Sequence, residues 1–285
     1  MQGTERASPA HVSVDLKNRH MRPPRSNIEW SSWGDWDPLY GVASLSGRNK
    51  RGNNPWTAEE FYAYGALNWD EYRRHWESYG VSPRSCVEIG CGAGRITKQL
   101  ANYFGEVHAL DVSRTMVEYA KRHIESQNVS FYVTEGLALP LPSRSVTAAF
   151  SCDVFQHFSR VTMADAYFTD LYRVLEPGAS LMIHLPVYSW PDGLRRMFGA
   201  LYRIQTFVES LQAEGRRLLL NFGVGYPFMF GVKYESRRLH TSLWRLGFRD
   251  IELRFFRKRS DGDSGDFRSY LFARKSTVPL LGPVE

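Results

Sequence analysis

The run Val87-Glu88-Ile89-Gly90-Cys91-Gly92-Ala93-Gly94-Arg95 constrains this chain more than any other stretch. A short apolar segment carries an acid, and a loop with glycine at every second position leads from it into a helix. Glycine removes the side chain where the backbone must bend or where a ligand must lie against it. Seventeen residues after Gly94, the segment Val107-His108-Ala109-Leu110 delivers Asp111 to the same edge of the sheet. A carboxylate there can accept hydrogen bonds from both hydroxyls of a ribose. A dinucleotide fingerprint needs G-x-G-x-x-G, and its third glycine would fall on Arg95. The pattern G-x-G-x-G instead leaves room for an aminoacyl group, rather than presenting a helix N-terminus to a pyrophosphate.

Four further segments follow in order. They are Glu135-Gly136-Leu137-Ala138-Leu139-Pro140-Leu141-Pro142, Ala148-Ala149-Phe150-Ser151, Val154-Phe155-Gln156-His157-Phe158, and Leu171-Tyr172-Arg173-Val174-Leu175-Glu176-Pro177-Gly178-Ala179. With the glycine loop and Asp111-Val112-Ser113, this series resembles the class I S-adenosylmethionine-dependent methyltransferases over roughly residues 76–275. Two departures stand out. Glu135 replaces the usual aspartate of G-D-A, and Thr147 replaces the aspartate that often opens the fourth strand.

The resemblance implies a Rossmann-like α/β fold: a doubly wound, mostly parallel sheet of seven strands with the last one antiparallel. It implies S-adenosyl-L-methionine as cofactor and S-adenosyl-L-homocysteine as product. By the same resemblance Gly90, Gly92 and Gly94 bend around the methionine moiety, and Glu88 reaches the aminoacyl end. Asp111 holds the ribose, while Val112 and Met116 pack on adenine. Glu135, Gly136 and Leu137 meet the adenine edge, and Ser151 faces the methionine ammonium. An acceptor hydroxyl needs a base. His157 is the first candidate, since imidazole is readily neutral near pH 7, and Asp153 is the alternative; a packing role for His157 stays open. His184, Tyr188, Trp190 and Tyr234 are expected around the acceptor, with Tyr62 and Tyr64 closing over the cofactor; packing roles stay open for these too.

Composition narrows the alternatives. An apolar fraction of 43% supports a sizeable core, and no window approaches the ~18 uninterrupted apolar residues of a membrane span. The N-terminus lacks the apolar core of a secretory signal, and Cys86, Cys91 and Cys152 read as reduced thiols, so a cytoplasmic protein is expected. The three cysteines and eight histidines show no metal-binding spacing, and no metal is expected. Residues 190–260 carry 14 Arg plus Lys against 6 Asp plus Glu, a balance of +8, so the rest of the chain sums to −2 of the total +6. Such a region could face an anionic substrate, nucleic acid, a membrane surface or solvent.

Residues 1–26 read as a mobile tail and 27–80 as an aromatic helical lid. Residues 81–275 read as the catalytic domain, with a helical cap inserted at about 186–233 after the fifth strand, and 276–285 as a C-terminal tail. Thr57 and Glu60 form a capping-box pattern for a helix to about Ala66, and Asp70 is expected to cap a second one. Strands are expected near 86–90, 107–111, 130–134, 147–152 and 180–185, with helices near 94–104, 114–126, 161–175 and 234–246. Residues 250–256 and 269–274 pair around the polar loop 260–265, and the cap could instead form a homodimer interface. The favoured activity is methyl transfer to a small-molecule acceptor, chiefly at oxygen. RNA or protein methylation, or a cofactor-binding partner without catalysis, are the alternatives.

Overall fold

Short runs of apolar and β-branched residues alternate with amphipathic helices along the chain, a pattern that builds a parallel sheet covered on both faces. The computed structural model describes residues 24–134, 137–189, 231–257 and 267–278. The elements are α1 (Arg25–Trp36), α2 (Pro38–Val42), α3 (Ala58–Tyr79), β1 (Ser85–Ile89), α4 (Thr97–Tyr103), β2 (Glu106–Asp111), α5 (Arg114–His123) and β3 (Val129–Val133). After these come β4 (Val146–Ser151), α6 (Thr162–Val174), β5 (Leu175–His184), β6 (Val187–Tyr188), β7 (Tyr234–Glu235), α7 (Ser236–Leu246), β8 (Phe248–Arg257) and β9 (Phe267–Lys275).

Seven strands form one sheet in the order β3-β2-β1-β4-β5-β9-β8. The first five are parallel to their neighbours, and β9 is antiparallel to both β5 and β8. This is the expected sheet with its reversed final strand. The chain winds outward from β1 to β3 and then returns to place β4 on the other side of β1. Beyond the carboxyl ends of β1 and β4 the two connections diverge, which opens a crevice at this switch point. The glycine loop follows β1, and residues 152–157 follow β4.

Local chemistry explains the helix boundaries. The Ser113 side chain accepts from the Met116 N–H to start α5, and basic Lys121, Arg122 and His123 end it. The Glu235 carboxylate accepts from the N–H groups of Arg237 and Arg238 to start α7, which ends on left-handed Gly247. The capping box at α3 forms as expected, each of Thr57 and Glu60 bonding the other's backbone N–H at 3.2 Å. The expected break before Asp70 does not occur. Phe61, Gly65, Asn68, Tyr72 and Trp76 repeat at helical spacing and are all buried, so one 22-residue helix keeps a continuous apolar face. Asp70 pairs with Arg73 on the outer face instead of capping.

Helix α3 is a layer of the core rather than a cover over it. Trp69, Tyr72, Trp76 and Tyr79 pack with Cys86, Phe150, Met182 and Phe272 on one face of the sheet. The Trp76 indole N–H donates to Ser180 Oγ at 3.1 Å, satisfying its polar atom. Helix α1 begins at Arg25, inside the segment expected to be tail, and Ser26 is buried. The expected cap from 190 to 230, with Trp190, and the loop 258–266 lie outside the described residues. The two stems of that insertion do meet, because β6 pairs in parallel with β7. Among the described residues no helix is long and apolar enough to cross a membrane.

Replacing Thr57 with alanine removes one half of the capping box. Thr57→Ala is expected to cost about 1 kcal/mol, read as a lowered thermal midpoint with native circular dichroism. An unchanged midpoint would mean that tertiary packing alone fixes the start of α3.

Candidate active site

Positive φ is what the alternating glycines supply. Gly90, Gly92 and Gly94 adopt φ of 75°, 53° and 86°, so the chain turns tightly from β1 and lays its backbone along the crevice. A Cβ on Gly92 would lie 2.5 Å from Val42 Cγ2, so the N-terminal segment rests directly on this loop. Asp111, at the end of β2, clamps the turn. One carboxylate oxygen accepts from the Gly92 N–H at 2.8 Å and the other from the Ser113 N–H at 2.8 Å. Burial pushes its carboxyl above the ordinary value, against the backbone bonds from Ser113, Gly92 and Val112.

A cavity occupies the crevice. Gly90, Gly92, Leu110, Asp111, Val112 and Met116 line its β1–β2 side, with Thr134 and Leu139 beyond. Trp30, Ser26 and Asn27 of α1 and residues 41–45 form its roof, while Val154, Gln156, His157, Phe158 and Tyr167 close one flank. Tyr64, Arg95, Cys152, Asp153 and Arg268 make the opposite wall. Asp111, Val112, Met116, Gly90 and Gly92 therefore converge with His157, Asp153 and Tyr64 around one space.

Other expected site residues lie behind it. Glu88 is buried, accepts from Thr97 Oγ1 at 2.6 Å and lies outside the cavity lining. Burial pushes its carboxyl up to about 7, opposed by the Thr97 bond and Arg95. Ser151 donates to the Ile89 carbonyl at 2.9 Å and braces β4 against β1. Gly94 and Leu137 also fall outside the lining, and Glu135 and Gly136 lie outside the described residues. Tyr62 donates to the Ala93 carbonyl at 3.0 Å, so it supports the glycine loop from behind. Tyr234 is buried and donates to the Phe155 carbonyl at 2.7 Å. Tyr188 sits in the β6 stem, outside the cavity lining.

The wall opposite Asp111 holds a charge cluster that the sequence did not suggest. Asp153 has φ of 61°, a left-handed conformation that costs a non-glycine residue energy and is retained where surroundings over-determine it. Its Oδ1 accepts from Arg268 Nη1 at 2.5 Å, and its Oδ2 lies 3.4 Å from Arg95 Nη2. Its backbone N–H donates to His184 Nδ1 at 3.3 Å, and buried His184 in turn lies against Tyr270. Arg95 also donates to Asn68 of α3. Arg95 and Arg268, far apart in sequence, thus fix one carboxylate, and His184 holds its backbone. Among the described residues Cys152, Asp153 and His184 place three donor atoms within 4.8 Å of one another. The two guanidiniums already on Asp153 oppose a cation there.

His157 ends a single 3₁₀ turn, with Trp30 edge-on at 4.9 Å between ring centroids. Its Nε2 lies 2.9 Å from the Gln156 amide nitrogen. The amide nitrogen only donates, so this arrangement assigns the imidazole lone pair to Nε2. A proton-accepting role at Nε2 requires Gln156 to give way.

The raised Glu88 carboxyl has a consequence for folding. Its protonated form is favoured in the fold, so its stabilising contribution is full below the unfolded value near 4.5 and disappears as pH rises towards about 7. Glu88→Gln is expected to remove that loss, gaining up to about 3 kcal/mol on the wild type between about pH 5 and about pH 8 in urea melts. Parallel pH profiles for the two proteins would show that Glu88 is not held neutral.

Similar proteins share this framework. Residues 87–183, from β1 to β5, match the methyltransferase domain family. A malonyl-[acyl-carrier protein] O-methyltransferase of Hahella chejuensis is 32% identical over 102 residues, covering 35% of this chain and 36% of that protein. One of the same name from Brevibacillus brevis is 28% identical over 178 residues, covering 60% of this chain and 56% of that protein. The chain thus spans about a third to a half of the length of these relatives. The magnesium protoporphyrin IX methyltransferase of Synechocystis, solved with bound S-adenosylmethionine, shares the fold at a TM-score of 0.52 and 14% identity over 88% of this chain and 97% of that one. The glycine loop and Asp111 thus lie within a segment that matches the methyltransferase domain family, and the sheet with its reversed final strand has the fold of a solved S-adenosylmethionine-bound methyltransferase.

Proposed function

We propose that the protein transfers a methyl group from S-adenosylmethionine to an oxygen of a small-molecule acceptor. The observation that carries this reading is a cavity lined both by Gly90, Gly92 and Asp111 and by His157 and Asp153. The residues present suit the cofactor of this family. Asp111 accepts from backbone N–H groups with both oxygens, and an ionised carboxylate has about four acceptor sites, which leaves capacity for a ribose hydroxyl. Met116 and Leu110 give an apolar surface for a base. Arg95 is buried, and its Nε has no hydrogen-bond partner among the described residues, a donor suited to an anionic aminoacyl end.

S-adenosylmethionine, when bound, supplies a methyl group on a positively charged sulfur, which keeps the bonding pair when the carbon leaves. The protein's task is then alignment and exclusion of water. Gly90 and Gly92 admit the donor close to the backbone, and α1 with residues 41–45 roofs the crevice. An acceptor oxygen attacks through a lone pair and, if a hydroxyl, loses its proton to His157 once the Gln156 contact opens. Asp153 is already engaged by two guanidiniums, which leaves His157 the better placed of the two expected.

The names of the relatives support an acceptor that is a small molecule or a small group on a carrier. RNA is the less favoured alternative, resting only on the basic balance of residues 190–260. RNA binding would weaken steeply with added salt, whereas turnover of a small acceptor would not.

Asp111→Ala is expected to weaken S-adenosylmethionine binding by roughly 1–3 kcal/mol, read by calorimetry on protein that remains folded. Unchanged affinity would reject the ribose role. His157→Ala is expected to lower turnover about 10²-fold or more with cofactor affinity preserved. Full turnover would take His157 out of the proton's path and favour an acceptor oxygen that is already ionised.

A further inference from the structure

Among the described residues Arg268 is the one cavity-lining cation that the cofactor reading leaves without a task. Strand order places it at the acceptor end. Asp111 ends β2, the glycine loop follows β1, and Asp153 follows β4, while Arg268 opens β9, two places beyond β4. Neighbouring strands lie about 4.8 Å apart, so the strand ends carrying Asp111 and Arg268 are separated by four spacings, or roughly 19 Å. A nucleoside held at Asp111 with its sulfur over the β1–β4 switch point leaves the β5–β9 side for the other substrate. Arg268 keeps 28% of its side chain exposed, in contrast to Arg95 at 3%.

Charge makes the same case. Among the described residues lining the cavity, Asp111 and Asp153 bring two negative charges, and Arg95 and Arg268 bring two positive ones, a sum of zero. The cofactor carries a sulfonium, an ammonium and a carboxylate, so binding it brings these described groups to a sum of +1. An acceptor bearing one negative group restores neutrality, and charges enclosed away from water are costly unless matched. A guanidinium presents five N–H donors in a planar fork that fits carboxylate and phosphate. Arg268 commits one N–H to Asp153 Oδ1, an arrangement that orients the fork without using it up. The left-handed Asp153 is the strained element that makes this orientation possible, and the bond from its backbone N–H to His184 Nδ1 holds that conformation.

We propose that Arg268 is a specificity determinant that binds a carboxylate or phosphate group on the methyl acceptor, with Asp153 and His184 as positioning residues behind it. This rests on the proposed function, since it takes the cofactor to fill the Asp111 side of the cavity.

The test is calorimetry on the full chain, first with S-adenosylhomocysteine alone and then with matched probes added to the loaded protein. The probes are acetate, benzoate and phenyl phosphate against acetamide, benzamide and phenol. At least one anion is expected to bind about tenfold or more tightly than its neutral partner, and the anion preferred distinguishes carboxylate from phosphate. Arg268→Gln is expected to reduce that preference below about twofold, Arg268→Lys to retain part of it, and both to keep S-adenosylhomocysteine affinity within about twofold. His184→Asn is expected to weaken the anion without affecting its neutral partner. Equal affinities within every pair, a preference that survives Arg268→Gln, or no anion binding up to about 10 mM would overturn the proposal. Failure to bind S-adenosylhomocysteine at all would remove the proposed function itself, a separate outcome visible in the first titration.

Discussion

The Asp111 carboxylate is the fastening on which the site depends. It takes the N–H of Gly92 with one oxygen and the N–H of Ser113 with the other, joining the glycine turn after β1 to the start of α5 after β2. Without an acceptor of this length at the end of β2, the turn would have to satisfy its buried N–H groups with water, and the crevice would lose its fixed edge. The cost of the arrangement is a buried carboxylate, whose proton affinity is raised by its surroundings. Under the proposed function a ribose diol shares that charge.

The two ends of the crevice use opposite devices. At the β2 end backbone N–H groups serve a side-chain carboxylate, and apolar Leu110 and Met116 lie beside them. At the β9 end side chains serve one another, with Asp153 held between Arg95 and Arg268 and its backbone fixed by His184. Under the proposed function the first arrangement takes a nucleoside by shape and two hydroxyls, and the second takes charge. Helix α3 links them: Tyr64 reaches the cavity, Asn68 holds Arg95, and Tyr72 lies 3.2 Å from Cys152 Sγ through its hydroxyl. The aromatic face that buries α3 in the core is thus also the rear support of the charged wall.

Much of the architecture was legible in the sequence because it rests on short-range rules. The strands at 85–89, 106–111, 129–133 and 146–151 lie within one or two residues of expectation, since an apolar run bounded by turn residues has few alternatives. The positions of Gly90, Gly92 and Asp111 around one crevice follow from the same rules. What was not legible depends on chain segments meeting in space. Nothing local to Arg95 or Arg268 distinguishes either from a solvated arginine, and their convergence on Asp153 needs the register of β9 against β5. Tyr62 and Tyr234 were expected at the site, yet their hydroxyls donate to the backbone carbonyls of Ala93 and Phe155, and neither tyrosine is in the cavity lining. A cover from the N-terminal segment was expected from its aromatic residues, but its contact with Gly92 was not, because that contact is made by Val42 of α2, a residue with no signal of its own.

A crystal structure of the protein grown with S-adenosylhomocysteine tests the central claim most directly. The account predicts the ribose hydroxyls on Asp111, the base against Met116 and Leu110, and the sulfur facing the gap between His157 and Asp153. A crevice left empty at saturating ligand, or a nucleoside bound with its ribose away from Asp111, would contradict it.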